Sequence, residues 1–172
     1  MNELLDKNNP ILRQISEPVL ESEFGSEWLN SLIQELFAIM KEQNAVGVAA
    51  PQIGISKRVI VFSTAYTKRQ NLECQIPDTA LINPSLKVLS EEIQTGYEGC
   101  LNCGETMALV PRAMEIEYFG YDINGNYVSK NASGLEARIL QHEIDHLNGY
   151  LFLDHVVDKD SLTTKSELLK TI

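Results

Sequence analysis

Two histidines with a glutamate between them are the residues of this sequence best suited to chemistry. His142 and His146 lie four positions apart, and Glu143 directly follows the first of them. On a helix this spacing puts both imidazoles on one face, with about 5–6 Å between their Cβ atoms, so the two rings can share one divalent metal ion. Glu143 then lies where it can take a proton from a water on the metal. The pattern indicates a metal-assisted hydrolase site; the alternative is a pair of buried core histidines.

A helix must carry these residues, and the sequence marks both of its ends. Ser133 is a suitable N-cap and Asn148-Gly149 is a stop signal, so we predict a helix that runs to about Leu147. Leu135 and Ile139 lie on the same stripe as the histidines, two turns and one turn before the first of them. We expect them to form the wall of an apolar pocket for a substrate side chain, with plain core packing as the alternative.

A catalytic metal that keeps an open position needs a third protein ligand. In one class of metalloprotease this would be a histidine six residues after the second, but that position is Phe152. Glu167 lies far enough downstream for a thermolysin-like metalloprotease. Cys100, in the setting Glu98-Gly99-Cys100-Leu101, is the other candidate, because a thiolate suits a soft or borderline metal. Spacing alone leaves both candidates open.

Three separated segments together resemble the peptide deformylase family. They are Val46–Gly54, Glu98–Leu101 and Gln141–Leu147, and the resemblance extends from Pro10 to near Leu153. Three motifs in the right order are more specific than one His-Glu-x-x-His pattern. The resemblance implies a hydrolase that removes the formyl group from N-formyl-methionine on newly made bacterial polypeptides. The non-enzyme alternative is a relative that binds such N-termini without turnover.

The resemblance also implies a metal centre and its chemistry. It implies one divalent ion, most often ferrous iron, with zinc, nickel or cobalt as substitutes, held by Cys100, His142 and His146. A metal with three protein ligands keeps a position for water and lowers the pKa of that water, which gives a hydroxide nucleophile near neutral pH. Glu143 would accept the proton and later pass it to the leaving amine, as general base and then general acid.

Further residues acquire roles only through this resemblance. It assigns the Gln52 side-chain amide and the Leu101 backbone N–H as donors to the negative oxygen that develops on the formyl group. The residues expected to contact substrate lie in the small-residue stretch, in the cysteine motif and on the metal helix: Val46, Gly47, Gly99, Leu135 and Ile139. For the last two, the substrate side chain would be that of the formylated methionine.

The chain departs from the family pattern near the expected substrate contacts. After Cys-Leu the family usually has Ser, an apolar residue and Pro, whereas this chain has Asn102, Cys103 and Gly104. Ala45 replaces the first glycine of the usual Gly-x-Gly, and Met107 stands where some members carry an arginine. None of these changes removes an implied metal ligand. We therefore interpret them as changes to substrate contacts.

Length and charge limit the remaining possibilities. We expect the 172 residues to form one domain, residues 1–172, with 156–172 as a C-terminal helical extension. The net charge of −10 argues against nucleic acid as a specific partner and leaves at most a transient association with the ribosome. The sequence has no run of 18 apolar residues and no leader-like segment, so we expect a cytoplasmic bacterial protein that does not bind membranes. We expect it to be a monomer.

Periodicity predicts the elements that would hold the site. Apolar residues at helical spacing predict a helix over 27–43, and the apolar run 59–62 predicts a buried strand. Short strands are predicted on either side of Pro84, and alternation around Asn124-Gly125 predicts a hairpin. Together these favour an α+β fold, with antiparallel β-sheets packed around a central metal-binding helix and with an N-terminal and a C-terminal helix.

Overall fold

The first long helix, α1, forms where the apolar residues recur at helical spacing. In the computed structural model, which describes residues 2–171, it spans Glu27–Glu42. The Ser26 hydroxyl starts it by accepting a hydrogen bond of 3.1 Å from the N–H of Leu29. The apolar stripe is buried, except that Phe37 is half-buried and Trp28 is 42% exposed, with its ring packed against Lys57. The predicted N-terminal helix is confirmed.

Within residues 2–171, eight strands form two sheets in which all neighbouring strands are antiparallel. The five-stranded sheet has the order β1 (Gly47–Ala49), β2 (Val59–Phe62), β3 (Thr79–Val88), β6 (Glu115–Tyr121) and β7 (Tyr127–Ser133). The three-stranded sheet has the order β4 (Ile93–Gly99), β5 (Thr106–Ala113) and β8 (Thr163–Thr164). The predicted hairpin joins β6 to β7, and the antiparallel α+β class is confirmed.

The region around Pro84 differs from the prediction of two short strands. It is one strand, β3, with a shift of register between Ile82 and Ser85. Asn83 has a φ of 51° at this irregularity, a conformation that Asn adopts more readily than most residues. Its side-chain amide holds the shape, because it accepts from the Val19 N–H at 2.8 Å and donates to the Val19 carbonyl at 2.9 Å.

The central helix, α2, spans Gly134–Leu147 and packs against strands of both sheets. Its bounds agree with the prediction, but its N-terminal cap does not. Within the described chain, the Ser133 side chain makes no capping hydrogen bond. Instead the carboxylate of Glu73, from the loop before β3, accepts a hydrogen bond of 3.4 Å from the Leu135 N–H. A negative charge at this end also interacts favourably with the helix dipole.

The C-terminal region combines short helices with a strand. The last helix, α3, spans Lys165–Lys170, a single turn spans Lys159–Ser161, and Ile172 lies outside the described residues. Between them, Thr163–Thr164 pairs with β5 at Thr106 and Met107. The stretch 156–172, predicted as a helical extension, is therefore helical only in parts. Among residues 2–171 no helix combines the length and apolar character needed to cross a membrane.

Candidate metal centre

The structure brings together a thiol and two imidazoles from distant parts of the chain. Cys100 directly follows β4, whereas His142 and His146 lie on one face of α2. One ligand atom from each residue lies within 4.8 Å of the other two; Cys100 and His146 are buried, and the His142 side chain is 12% exposed. The Cys100 Sγ is 3.4 Å from the His146 Nε2. These are the three residues that the family resemblance implied as ligands.

The donor set fits a divalent metal of borderline softness. One sulfur and two imidazole nitrogens leave a fourth tetrahedral position free for a water or substrate, and they suit iron, zinc, nickel or cobalt better than magnesium or calcium. Burial lowers the pKa of His146 well below its usual range, so the ring is neutral, which is the form that binds metal. Contact with Cys103 and burial raise the pKa of the Cys100 thiol. A thiolate at this position therefore needs a compensating positive charge, which a metal ion supplies.

A buried carboxylate orients the first histidine. The Oε2 of Glu98 lies 2.9 Å from the His142 Nδ1, which leaves the Nε2 of that ring for a metal. Glu98 also accepts two hydrogen bonds of 2.9 Å from Arg112 and one of 2.8 Å from Arg138. Burial acts to raise the pKa of Glu98, but the hydrogen bonds from Arg112 and His142 outweigh it and hold that pKa well below its usual range. The network thus fixes an ionised carboxylate behind the metal ligand.

We predict that Glu98→Gln weakens metal binding by about 10- to 100-fold, the usual effect of losing the partner that orients a histidine ligand. The amide keeps the size of the carboxylate but removes the charge that His142 and Arg112 share. The dissociation constant can be measured by competition with a chelator. Glu92→Gln, at an exposed position just before β4, is the matched control. An unchanged dissociation constant in Glu98→Gln would contradict this role for the network.

Glu143 is a buried carboxylate with an unused oxygen. It is 4% exposed, and among residues 2–171 its Oε2 has no hydrogen-bond partner. Burial raises the pKa of Glu143 to about 7. An unpaired buried carboxylate opposes folding, and such groups occur mainly where chemistry needs them. The position next to two imidazoles and the pKa near neutrality suit a group that takes up and returns a proton.

The backbone of β1 lies against this carboxylate. A Cβ built on Gly47 would lie 2.8 Å from the Cγ and from the Cδ of Glu143, which is closer than real Cβ contacts. We therefore predict that Gly47→Ala displaces the carboxylate and lowers kcat by about 100-fold, as a shift of about 1 Å at a reacting group can do. Metal content should stay the same, because Gly47 contributes no ligand atom to the cluster. Full activity in the variant would show that this close approach is unimportant.

The remaining residues implied by the resemblance are divided between the metal centre and the core. The Gln52 side chain reaches the metal centre, with its Nε2 3.5 Å from the Cys100 Sγ. Leu101 begins the short turn that directly follows Cys100. Val46 directly precedes β1. Gly99 ends β4, where an added Cβ would meet the sulfur of Met107.

A cavity beside the start of α2 contains one of the two predicted pocket residues. Its volume is about 260 Å³, and Leu135 lines it together with Tyr97 and Arg138. Ile139 is not among the lining residues of this cavity and is buried in the core between the sheets and α2. The cavity is more polar than predicted, because the buried Arg138 forms part of its wall.

The contacts that support the ligands could not be established from the sequence. Arg112 and Arg138 come from β5 and α2, and both meet Glu98 at the end of β4. The only signals available were an acidic residue two positions before Cys100 and an arginine four positions before His142. These signals do not show that the groups meet, and neither of them concerns Arg112.

Glu167, the alternative third ligand, does not belong to the cluster. It lies on α3 with a side chain that is 62% exposed, and it forms an ion pair of 2.8 Å with Lys170. Among residues 2–171, the third ligand atom of the cluster comes from Cys100 and not from Glu167. The thermolysin-like arrangement is not favoured.

Comparison with known proteins gives a consistent result. The family model described as polypeptide deformylase matches residues 1–161. Peptide deformylase 2 of Pseudomonas putida is 35% identical over 158 residues, which is 92% of this chain and 89% of the relative. Peptide deformylase 1 of Nitrosomonas europaea is 38% identical over 87% of this chain and 84% of its own. The Met-Ala-Ser-bound crystal structure of class I type b peptide deformylase from Acinetobacter baumannii has a TM-score of 0.84 at 35% identity, covering 91% of this chain and 98% of that one.

Proposed function

Because this chain belongs to the polypeptide deformylase family, it has peptide deformylase activity, and we propose that Cys100, His142 and His146 hold its metal ion. The reaction removes the formyl group from N-formyl-methionine of newly made polypeptides. The observation that carries the assignment is the cluster of three ligand atoms within 4.8 Å of one another, beside the buried carboxylate of Glu143.

The family depends on a metal, and we infer that ferrous iron occupies this centre, with zinc, nickel or cobalt able to replace it. A thiolate with two neutral imidazoles is compatible with all four ions. When bound, the divalent ion supplies a Lewis acid that lowers the pKa of a water at the site. Glu98 supports the Nε2 of His142 as the metal-binding atom, because its contact with the Nδ1 leaves only the other ring nitrogen for the metal.

We further infer that Glu143 moves the proton. It takes one proton from the attacking water and delivers it to the amine that leaves when the formyl C–N bond breaks, so the products are formate and a free N-terminus. The pKa of about 7, caused by burial, supports both halves of this exchange near neutral pH. The free Oε2 of Glu143 is available for the proton.

The donors that stabilise the developing oxyanion are inferred to be the Gln52 Nε2–H and the Leu101 N–H. Both belong to turns that adjoin the cluster, and the Gln52 Nε2 is 3.5 Å from the Cys100 Sγ. Fixed donors in a buried site stabilise a developing negative oxygen without reorganisation. Loss of one such donor typically lowers kcat by about 10²- to 10³-fold.

The free side of β1 is inferred to receive the substrate backbone. β1 lies at the edge of the five-stranded sheet, so its outer N–H and C=O groups can pair with an added strand. Val46 and Gly47 lie there, Gly99 adjoins the cysteine, and Leu135 lines the neighbouring cavity. The Acinetobacter relative was solved with Met-Ala-Ser bound, which supports a peptide ligand. We expect the methionine side chain to enter this cavity. We assign Ile139 to the core and not to the substrate site.

The cellular location and the oligomeric state of the protein are also proposals. We propose that the protein acts as a monomer in the bacterial cytoplasm, where formylated chains are made. The net charge of −10 supports no more than a transient association with the ribosome.

The direct test is release of free amine from formyl-Met-Ala by purified, iron-loaded protein under anaerobic, reducing conditions. We expect formate and Met-Ala in equal amounts. Absence of both products, or cleavage of the Met-Ala peptide bond in place of the formamide, would refute the proposed function. Acetyl-Met-Ala is a suitable control substrate, because its acyl group is larger by one methyl.

A further inference from the structure

We propose that Asn102 is a positioning residue that aims the Gln52 amide at the reacting formyl oxygen. This inference rests on the proposed function, since it concerns a donor of the same site. Asn102 occupies the position where the family pattern usually has serine, and it is buried, 6% exposed. Three hydrogen bonds join its side chain to atoms of Gln52 and Leu5, and its Oδ1 also lies 3.7 Å from the Cys100 Sγ.

The orientation of the Gln52 amide follows from its fixed partners. The N–H of Ala49 can only donate, and it lies 2.8 Å from one end of the amide, so that end is the acceptor Oε1. The NH₂ end therefore faces the opposite way, where its Nε2 lies 2.8 Å from the Oδ1 of Asn102 and 3.5 Å from the Cys100 Sγ. One of its two hydrogens is directed to Asn102, and the other is directed toward the metal centre.

The orientation of Asn102 is fixed in the same manner. Its Nδ2 donates to two backbone carbonyls, that of Leu5 at 2.6 Å and that of Gln52 at 3.2 Å. A carbonyl oxygen accepts only, so the NH₂ end of Asn102 must face these groups and its Oδ1 must face Gln52. The Leu5 N–H in turn donates to the Gln52 carbonyl at 2.9 Å. A closed set of hydrogen bonds thus ties the N-terminal segment to the catalytic amide.

A glutamine has a soft terminal torsion, so its amide does not hold one direction without partners. Ala49 holds the oxygen end of Gln52, and Asn102 holds the nitrogen end. A serine at position 102 has only one oxygen, which cannot accept from Gln52 and donate to two carbonyls at once. In this chain Asn102 therefore adds an orientation constraint that the usual residue cannot reproduce.

The test is a double-mutant cycle with Asn102→Ala, Gln52→Ala and the variant that carries both changes. If Asn102 acts through Gln52, Asn102→Ala lowers kcat for formyl-Met-Ala by about 10- to 100-fold, with KM changed less than about threefold. In the Gln52→Ala background the same change should have almost no effect on kcat. Asn8→Ala, an exposed asparagine of the same N-terminal segment, is the matched control and should keep wild-type kcat.

Two further measurements separate orientation from folding. Asn102→Ser keeps a small polar group and should fold even where Asn102→Ala does not; we expect kcat reduced by about fivefold. In zinc-loaded protein, the two side-chain N–H resonances of Gln52 should shift in Asn102→Ser, while the visible spectrum of cobalt-loaded protein stays as in wild type.

Equal losses of kcat from the Asn102 change in both backgrounds, or unshifted Gln52 resonances, would overturn the proposal. An inactive wild-type protein would instead refute the proposed function itself, so the two failures are distinguishable.

Discussion

Cys100→Ala is expected to lose both the metal and the activity. The thiolate is the only charged ligand of the cluster, and the two histidines that remain are a weaker and incomplete donor set. Metal binding should therefore weaken by far more than ~10–100-fold, which is the loss expected when only the residue that orients a histidine ligand is removed. Because the ion's contribution of several kcal/mol to the rate is lost with it, turnover should fall by more than about 1,000-fold.

Metal content per chain and release of amine from formyl-Met-Ala measure the two losses. Cys74→Ala is the matched control for removal of a thiol, since Cys74 is half-buried and lies outside the cluster. Glu167→Ala tests the alternative ligand and should retain both metal and activity. Stoichiometric metal with unchanged turnover in Cys100→Ala would contradict the ligand assignment.

Glu143→Gln is expected to separate metal binding from catalysis. Glutamine has nearly the shape of glutamate, so the three ligand groups should stay in place and metal content should remain at the wild-type level. The amide cannot take a proton from water, so kcat should fall by about 10²- to 10⁴-fold, the range typical for loss of a general base. The change also removes a buried carboxylate whose Oε2 has no hydrogen-bond partner in the described part of the chain, so thermal stability should not decrease.

The control for this variant lies on the same helix. Glu136→Gln changes a half-buried carboxylate of α2 whose pKa is also raised by burial, but which lies outside the ligand cluster. It should retain the activity of the wild-type protein. If Glu143→Gln with a full complement of metal turned over at the wild-type rate, another group would have to move the proton.

Local patterns were sufficient to predict the two long helices, one of which carries both histidines, but they did not predict β1, β4 or β5. The apolar period predicted the bounds of α1 to within a residue, and the expected cap and stop residues predicted those of α2. The spacing of His142 and His146 on α2 predicted a shared metal ion. It could not choose between Cys100 and Glu167 as third ligand, because that choice depends on which segment the fold brings to the helix. The resemblance to a family favoured Cys100, and the structure brings it to the two histidines.

Contacts between distant segments were not predictable from local patterns. Glu98 meets Arg112 and Arg138 only because β4 and β5 pair in one register and α2 packs across them. The capping role of Glu73 at α2 is likewise a long-range contact, which replaced the local cap expected from Ser133. These groups are charged and polar, so the periodicity of apolar residues carries no information about their partners.

The central claim is that one sulfur and two imidazole nitrogens bind a single metal ion. X-ray absorption spectroscopy of the zinc-loaded protein measures this directly. We predict one zinc–sulfur distance of about 2.3 Å and two zinc–nitrogen distances of about 2.0–2.1 Å in the wild-type protein. A wild-type spectrum with only nitrogen and oxygen neighbours would contradict the assignment of Cys100, His142 and His146 as the metal site.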